Sequence, residues 1–476
     1  MTRSSAKRCA PDDSPPSQPD RAARGGSKRV QQQQSLGEFF STKRGRVDGQ
    51  AVPPGNAVHW RSVGATWVGT WGAPEPAARL AAFDLDGTLI CTKSKGRFPK
   101  GADDWRFFHP DVPLVLRRMC QQGYRIVVIS NQNGLRQAKG TTGLSKKATD
   151  FRTKVANIAR ALGVPLTILV ATDKDYMRKP SPGMWSLAQL LNEGAAIDRA
   201  ASFYVGDAAG RPAGWRPGVE ADFSSSDLAF ALNVGVPFYT PEEAFAAAVC
   251  ARPEPLPLPP PTQREIAGLA PSQRNGDPAA HAALLDAVDR HVGKAKEDAR
   301  GLLAVLVGPP ACGKSTFARS HLALRGFERV NMDELKTRKK CTEAVRRALE
   351  GSACVVVDNT NPDAASRSPF IELARASGAG CIAIVFSHEP RNLTMHNNSF
   401  RAQLAQARYL SSLGPGHTDL GGIPGCDDRV PEVAFHSFFK RLELPSVAEG
   451  FQEVICHSFV PTFDTADDER LWNQHY

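Results

Sequence analysis

The sequence predicts two α/β domains in series behind a disordered basic tail. Three observations lead there. From about residue 60 onward, short apolar runs alternate with stretches of helical periodicity, the signature of a parallel sheet covered by helices. A proline-rich segment interrupts that rhythm once, after which it restarts. Two of the apolar runs also end in motifs that belong at the carboxyl lip of such a sheet. A length of 476 residues suits two to four domains at ~100–200 residues each. With 41% hydrophobic and 23% charged residues, the composition is that of a globular protein.

Residues 1–55 are rich in Pro, Ser, Gln, Gly and Arg and nearly lack aliphatic periodicity, so they cannot offset the entropy of ordering and are expected to be disordered. The chain carries a formal charge of +10 and a pI near 9.2, which points to a polyanionic partner. Half of that surplus lies in residues 1–50, with ten Lys/Arg against five Asp/Glu. No run approaches the ~20 apolar residues of a membrane helix, the densest being Leu302–Val307. The N-terminus also lacks the apolar core of a secretory signal, so a soluble intracellular protein without a membrane partner is expected. Ten cysteines are too dilute for a disulfide scaffold and form no C-x₂-C pair. Cys354 and Cys381, within apolar runs, read as small core residues in a reducing compartment.

Residues 56–250 form the first expected domain, with buried strands at Leu80–Phe83, Ile126–Ile129, Leu166–Val170 and Ser202–Val205 and an amphipathic helix at Phe151–Leu162. Residues 251–280, with prolines from Pro253 to Pro278, suit a semi-rigid extended linker. The second domain, residues 281–476, opens with a helix near His281–Lys296. Strands follow at Leu302–Val307, Cys354–Val357 and Ile382–Phe386. No internal repeat relates the halves, so two different α/β domains are expected.

The strand at Leu80–Phe83 runs into Asp84-Leu85-Asp86-Gly87-Thr88, which sets two carboxylates on one side of the backbone at the sheet lip. Alone, that motif reads equally well as an ordinary acidic turn. Three further stations accompany it: Ser130 at the end of the next apolar run, Lys179 within Arg178-Lys179-Pro180-Ser181-Pro182-Gly183, and Asp207 after another strand. Asp222 and Asp227 follow, with their roles open between site and solvated loop.

In the second half, Leu302–Val307 runs into Gly308-Pro309-Pro310-Ala311-Cys312-Gly313-Lys314-Ser315-Thr316, a full G-x₄-G-K-[ST] between strand and helix. In this motif backbone N–H groups cradle the phosphates of ATP. Lys314 is expected to reach the β/γ oxygens and Ser315 to ligate Mg²⁺, with Thr316 beside it. Asp333, just past a short strand, is placed to accept the proton of an attacking hydroxyl. Asp358 ends the strand Cys354–Val357 as a second acidic lip. Arg401, on an expected lid helix, is placed to neutralise the migrating phosphoryl group, and Arg367, at an earlier helix start, is a weaker candidate whose role stays open.

The four stations of the first half, in this order, resemble the haloacid-dehalogenase superfamily. The resemblance implies that Asp84 attacks phosphorus to form an aspartyl-phosphate while Asp86 serves as general acid and then base. It also implies that Asp84, the Asp86 backbone carbonyl and Asp207 hold Mg²⁺, with Ser130 and Lys179 on the phosphoryl oxygens. Taken together, the halves resemble the polynucleotide kinase 3′-phosphatases. The segments that carry the resemblance are Ala82–Ile90, Asp104–Arg106, Gly163–Thr172, Arg178–Trp185, Val205–Pro212, Leu228–Glu242, the P-loop and Asp358–Arg367. It implies a haloacid-dehalogenase-like Rossmannoid phosphatase joined to a P-loop kinase. One would hydrolyse 3′-phosphate ends of DNA and the other phosphorylate 5′-hydroxyl ends with ATP; a monomer in the nucleus is expected, with oligomeric state and DNA-versus-RNA preference left open by the sequence. Where animal members begin with a forkhead-associated domain, this chain has its basic tail. Met332 stands where the family pattern leads one to expect a basic residue, and the cluster Lys336–Lys340 reads either as compensation, by binding backbone phosphates, or as a solvated helix face.

One island breaks the tail. Gln33, Leu36, Phe39 and Phe40 fit Q-x-x-[aliphatic]-x-x-F-F, which looks like the peptide by which repair proteins dock on the proliferating-cell nuclear antigen sliding clamp. A single helical turn brings Leu36, Phe39 and Phe40 to one face as anchors. Lys7, Arg8, Lys28, Arg29 and Lys43–Arg46 also suit nuclear import. Two other readings fit the motifs: a fused small-molecule phosphatase and kinase, and a clamp-bound phosphatase scaffold with an inactive kinase half.

Overall fold

The computed structural model describes residues 57–245 and 278–474, apart from 97, 136–142, 387–390, 415–422, 425–428, 458–460 and 462. The Gln33–Phe40 peptide and the expected linker up to residue 277 lie outside the described residues.

Seven strands build the first sheet: β1 (His59–Val63), β2 (Thr66–Trp71), β3 (Arg79–Phe83), β6 (Tyr124–Asn131), β7 (Leu166–Ala171), β8 (Phe203–Val205) and β9 (Phe238–Tyr239). A small hairpin, β4 (Ile90–Cys91) with β5 (Arg106–Phe107), stands apart from it. The spatial order is β1-β2-β7-β6-β3-β8-β9. The strands from β7 to β9 are parallel, while β1 and β2 add an antiparallel edge through β7. In the centre lies β3, between β6 and β8, so the chain leaves its carboxyl end where the connections diverge to opposite sides. Ligands of open α/β sheets bind at such a point. Alternation along β3 loads both faces. Ala81 and Phe83 join the cluster under helices Val112–Gln121 and Lys146–Leu162, and Leu80 and Ala82 join the one under Gly183–Leu190 and Ser226–Val234.

The second sheet is fully parallel, in the order β11 (Phe327–Val330), β12 (Cys354–Val357), β10 (Leu302–Val307), β13 (Gly380–Phe386), β14 (Glu453–His457). All six residues of β10 are buried, as expected of a central parallel strand covered on both faces. Leu302, Ala304 and Leu306 pack under the helix Pro278–Glu297, and Leu303, Val305 and Val307 under Arg338–Glu350 and Ala364–Ala376.

The helix Arg391–Ser412 follows β13 but does not stay with its own sheet. Ala407 and Leu410 bury themselves in the apolar cluster that contains Tyr176, Met184 and Trp185 of the first half. No helix among the described residues is long and apolar enough to cross a membrane.

Candidate active sites

Asp84 is the first residue past β3, and its N–H donates to Val205 O at 2.8 Å, which locks it to β8. The turn behind it is tight. Gly87 has φ +90°, and an added Cβ would lie 2.4 Å from Asp207 Oδ2, so only glycine lets the turn and the neighbouring carboxylate coexist. One oxygen each of Asp84, Asp207 and Asp227 lies within 4.8 Å of the others. Into this cluster the loop after β7 inserts Lys179, 4% exposed. Its ammonium donates to Asp84 Oδ1 at 2.6 Å, Asp227 Oδ1 at 2.8 Å and Tyr204 OH at 2.7 Å, which uses all three of its donors.

Burial raises the Asp84 carboxyl well above the usual carboxylate range, against the pull of Lys179. Burial and then the charge of Asp227 push Asp207 up to about 7. For Lys179, burial alone would lower the pKa, but Asp227 and Asp84 outweigh it and the ammonium is held charged. Among the described residues one ammonium faces three clustered carboxyl groups, an oxygen-rich set that suits a hard divalent cation once they ionise.

The other first-half candidates are placed as follows. The Asp86 carboxylate accepts from Lys154 Nζ at 2.9 Å and Gln132 Nε2 at 2.5 Å. Ser130, buried at the end of β6, accepts from Gln132 Nε2 at 2.9 Å. Asp222 is no solvated acid: Oδ2 accepts from the N–H groups of Ala209 and Arg211 and from Arg211 Nε, pinning the loop after Asp207. Asp227, whose role the sequence left open, joins Asp84 and Asp207. Sequence reasoning missed Lys154 and Tyr204. A lysine on the apolar face of an amphipathic helix was the available signal for the first.

In the second half, Gly308 faces β13 so closely that a Cβ would meet Phe386 Cβ at 2.9 Å, and its N–H donates to Thr360 O at 3.1 Å. Lys314 Nζ lies within the loop, donating to Gly308 O at 2.9 Å and Pro309 O at 2.7 Å. Gly313 precedes the helix that Lys314 opens, with Ser315 half-buried and Thr316 exposed. Asp358, buried at the end of β12, accepts from Arg329 Nε at 2.7 Å through Oδ2, while Oδ1 is buried with no hydrogen-bond partner among the described residues. Asp333 is exposed on the short helix Met332–Leu335, capped by the Asn331 side chain, which in turn donates to Asp358 O at 2.6 Å. Arg401 is exposed on Arg391–Ser412, whose Asn397 Nδ2 donates to Ala311 O of the P-loop at 3.3 Å. Arg367 is fully buried, paired bidentately with Glu449 at 2.8 Å and capping Asn361 O and Glu443 O, so it braces the fold behind the site. Of the basic cluster, Arg338 donates to Ala365 O and Ser366 O, whereas Lys339 and Lys340 are exposed.

Two family models match the chain, one described as polynucleotide kinase 3 phosphatase over residues 79–245 and one as an AAA domain over residues 303–404. The chain is 34% identical over 421 residues to the bifunctional polynucleotide phosphatase/kinase of Schizosaccharomyces pombe, covering 88% of each. The chain belongs to the bifunctional polynucleotide phosphatase/kinase family. A putative member from Acanthamoeba polyphaga mimivirus is 27% identical over 413 residues, 84% of this chain and 88% of that one. The polynucleotide 3′-phosphatase ZDP of Arabidopsis thaliana is 34% identical over 181 residues, 35% of this chain and 24% of that protein. In this phosphatase/kinase the first matched segment spans Asp84, Ser130, Lys179, Asp207 and Asp227, and the second spans the P-loop, Asp333, Asp358 and Arg401.

Proposed function

We propose that this phosphatase/kinase converts DNA breaks carrying 3′-phosphate and 5′-hydroxyl ends into 3′-hydroxyl and 5′-phosphate ends, with Asp84 as the phosphatase nucleophile and ATP as the phosphoryl donor of the kinase. The observation that carries this reading is the Asp84 carboxylate held on the Lys179 ammonium beside Asp207 and Asp227. Lys179 orients Asp84 towards an incoming phosphoryl group and offsets its charge. Asp84 attacks phosphorus, the bond to the 3′-oxygen breaks, and Asp86 delivers the proton that the departing oxygen needs. Asp86 then takes a proton from the water that hydrolyses the aspartyl-phosphate, and Ser130 supplies a hydroxyl to the phosphoryl oxygens.

Asp84, Asp207, Asp227 and the Asp86 backbone carbonyl are the residues to hold Mg²⁺ in the first site, where the cation would offset the repulsion between carboxylate and phosphate dianion. In the second site Ser315 and the Oδ1 of Asp358, without a hydrogen-bond partner among the described residues, are the corresponding oxygens. There Lys314 and the P-loop amides, with Gly308 and Gly313 at its ends, bind the ATP phosphates. Asp333 accepts the proton of the 5′-hydroxyl, and Arg401 neutralises the transferring group.

The domain limits proposed are 56–250, 251–280 and 281–476. Docking of Gln33, Leu36, Phe39 and Phe40 on a sliding clamp and residence in the nucleus complete the proposal, on the strength of the tail's motif and its basic residues. The test is a nicked duplex with 3′-phosphate and 5′-hydroxyl ends, given to Asp84→Asn and Lys314→Ala separately. Each variant should lose one activity and keep the other. Faster turnover of free nucleotides or sugar phosphates than of the nick would replace this reading with a small-molecule one.

A further inference from the structure

The helix Arg391–Ser412 belongs to the kinase half by chain order, yet its C-terminal part is seated on the loop that carries Lys179. Gln403 and Gln406 are 8% and 3% exposed. Gln406 Oε1 accepts from the backbone N–H of Tyr176 at 2.9 Å. Its Nε2 donates to Pro424 O at 3.0 Å and lies 3.5 Å from Asp175 Oδ2. Ser181 Oγ donates to Gln403 Oε1 at 3.0 Å. Lys179 itself is gripped from the other side, where Asn131 of β6 accepts from its N–H and donates to its C=O, both at 3.0 Å. Asn233 donates to Pro180 O at 3.0 Å. The turn is therefore held at its centre by the phosphatase sheet and at both flanks by the kinase half.

Buried amides cost free energy unless paired, and leucines at these positions would have buried more apolar surface. What paired amides contribute is register. They fix where Tyr176 and Ser181 sit, and those residues bracket a lysine whose ammonium makes three hydrogen bonds of 2.6–2.8 Å. A small displacement of the turn moves that ammonium off Asp84.

We propose that Gln403 and Gln406 are positioning residues of the 3′-phosphatase, contributed by the kinase half, which hold the Asp175–Ser181 turn so that Lys179 stays on Asp84. This rests on the phosphatase reading of the Asp84–Lys179 site. Phosphatase competence in this chain then depends on the docked kinase half. The same helix also reaches the P-loop through Asn397.

The experiment uses the full-length chain with Gln403→Met, Gln406→Met and both together, since methionine keeps the volume and removes the hydrogen bonds. On a 3′-phosphorylated nicked duplex the double variant should show kcat lower by about tenfold with KM within about twofold. Its 5′-kinase turnover should match the wild type, and its melting temperature should fall by only the few degrees that the buried groups left unpaired cost. Wild-type kcat would overturn the inference, as would a joint loss of both activities with a lowered melting temperature, which is what a purely structural interface predicts. If the double variant fails to fold, Gln403→Met, which removes the Ser181 hydrogen bond and spares those of Gln406, is read by the same criteria. Asp84→Asn is assayed alongside. Retained phosphatase there overturns the site reading and this inference together, whereas loss there with wild-type rates in the glutamine variants overturns the inference alone.

Discussion

Lys154 lies 2.9 Å from Asp86 Oδ1, its side chain 4% exposed, although it projects from the apolar face of the helix Lys146–Leu162. A buried ammonium on a core-facing position needs its carboxylate, and here that carboxylate is the proposed general acid–base. Lys154→Met keeps the packing and frees Asp86 from this partner. Phosphatase kcat should fall by about tenfold, with 5′-kinase turnover unchanged, and Lys154→Arg should recover part of the loss. Steady-state rates on one doubly reactive substrate measure both activities.

Removing Lys179 should cost more than removing Asp84. Without Asp84 the ammonium still has Asp227 and Tyr204; without Lys179, Asp84 and Asp227 lose the one cation paired with them among the described residues. Breaking one side of such a buried pair costs about 3–5 kcal/mol. Lys179→Met should therefore lower the melting temperature clearly, Asp84→Asn should lower it little, and both should lose 3′-phosphatase. Equal melting temperatures for the two variants would contradict this charge balance.

The two sites were legible in the sequence because each is built at the end of an apolar strand, and a strand of buried residues is hard to mistake. Leu302–Val307 and Cys354–Val357 fall on the strands expected, and Leu80–Phe83 is one residue short of β3. The antiparallel edge β1-β2 was not read, since Trp60–Trp71 alternates weakly around Gly64 and Gly69. Asp227 stayed open because its partners Lys179 and Asp207 approach only through the fold. Arg367 stayed open for the same reason: Glu449, which neutralises it, lies far along the chain. The seating of Gln403 and Gln406 on the first half has no sequence signal, because buried and exposed glutamines look alike in one chain.

Mg²⁺ affinity of the first site should rise with pH. Asp207, with a pKa of about 7 when no cation is present, holds a proton in the folded state at pH 6 that a cation must displace. A raised folded pKa means the protonated form contributes stability, which is complete below the ordinary carboxylate value and is lost as pH rises through about 7. Above that, the ionised cluster is poised for a cation. Calorimetric titration with Mg²⁺ should thus give tighter binding at pH 8 than at pH 6. At pH 6 the heat should vary with the buffer, because a proton is released. A pH-independent affinity would remove Asp207 from the ligand set.

Acid should unsettle the helix Arg391–Ser412 through His396. Its ring is 5% exposed and packs edge-on against Trp472, and Nε2 lies 3.1 Å from Trp472 O, a distance at which a neutral ring carrying its proton there donates. Burial lowers its pKa from 6.5 to about 3, against the hydrogen bond to the Trp472 carbonyl. The folded state thus keeps the ring neutral while the unfolded chain protonates it near pH 6.5. Stability from this group is present above pH 6.5 and is lost as pH falls towards about 3, with a slope of at most ~1.4 kcal/mol per pH unit. Denaturant melts of the wild type should weaken from pH 7 to pH 5 more steeply than those of His396→Gln, whose amide can donate to the same carbonyl without titrating. Because Asn397, next in sequence, binds both Trp472 Nε1 at 2.9 Å and the P-loop carbonyl of Ala311, 5′-kinase activity should fall over the same range in the wild type and be less acid-sensitive in the variant. Parallel slopes for the two proteins would assign the acid sensitivity to other groups.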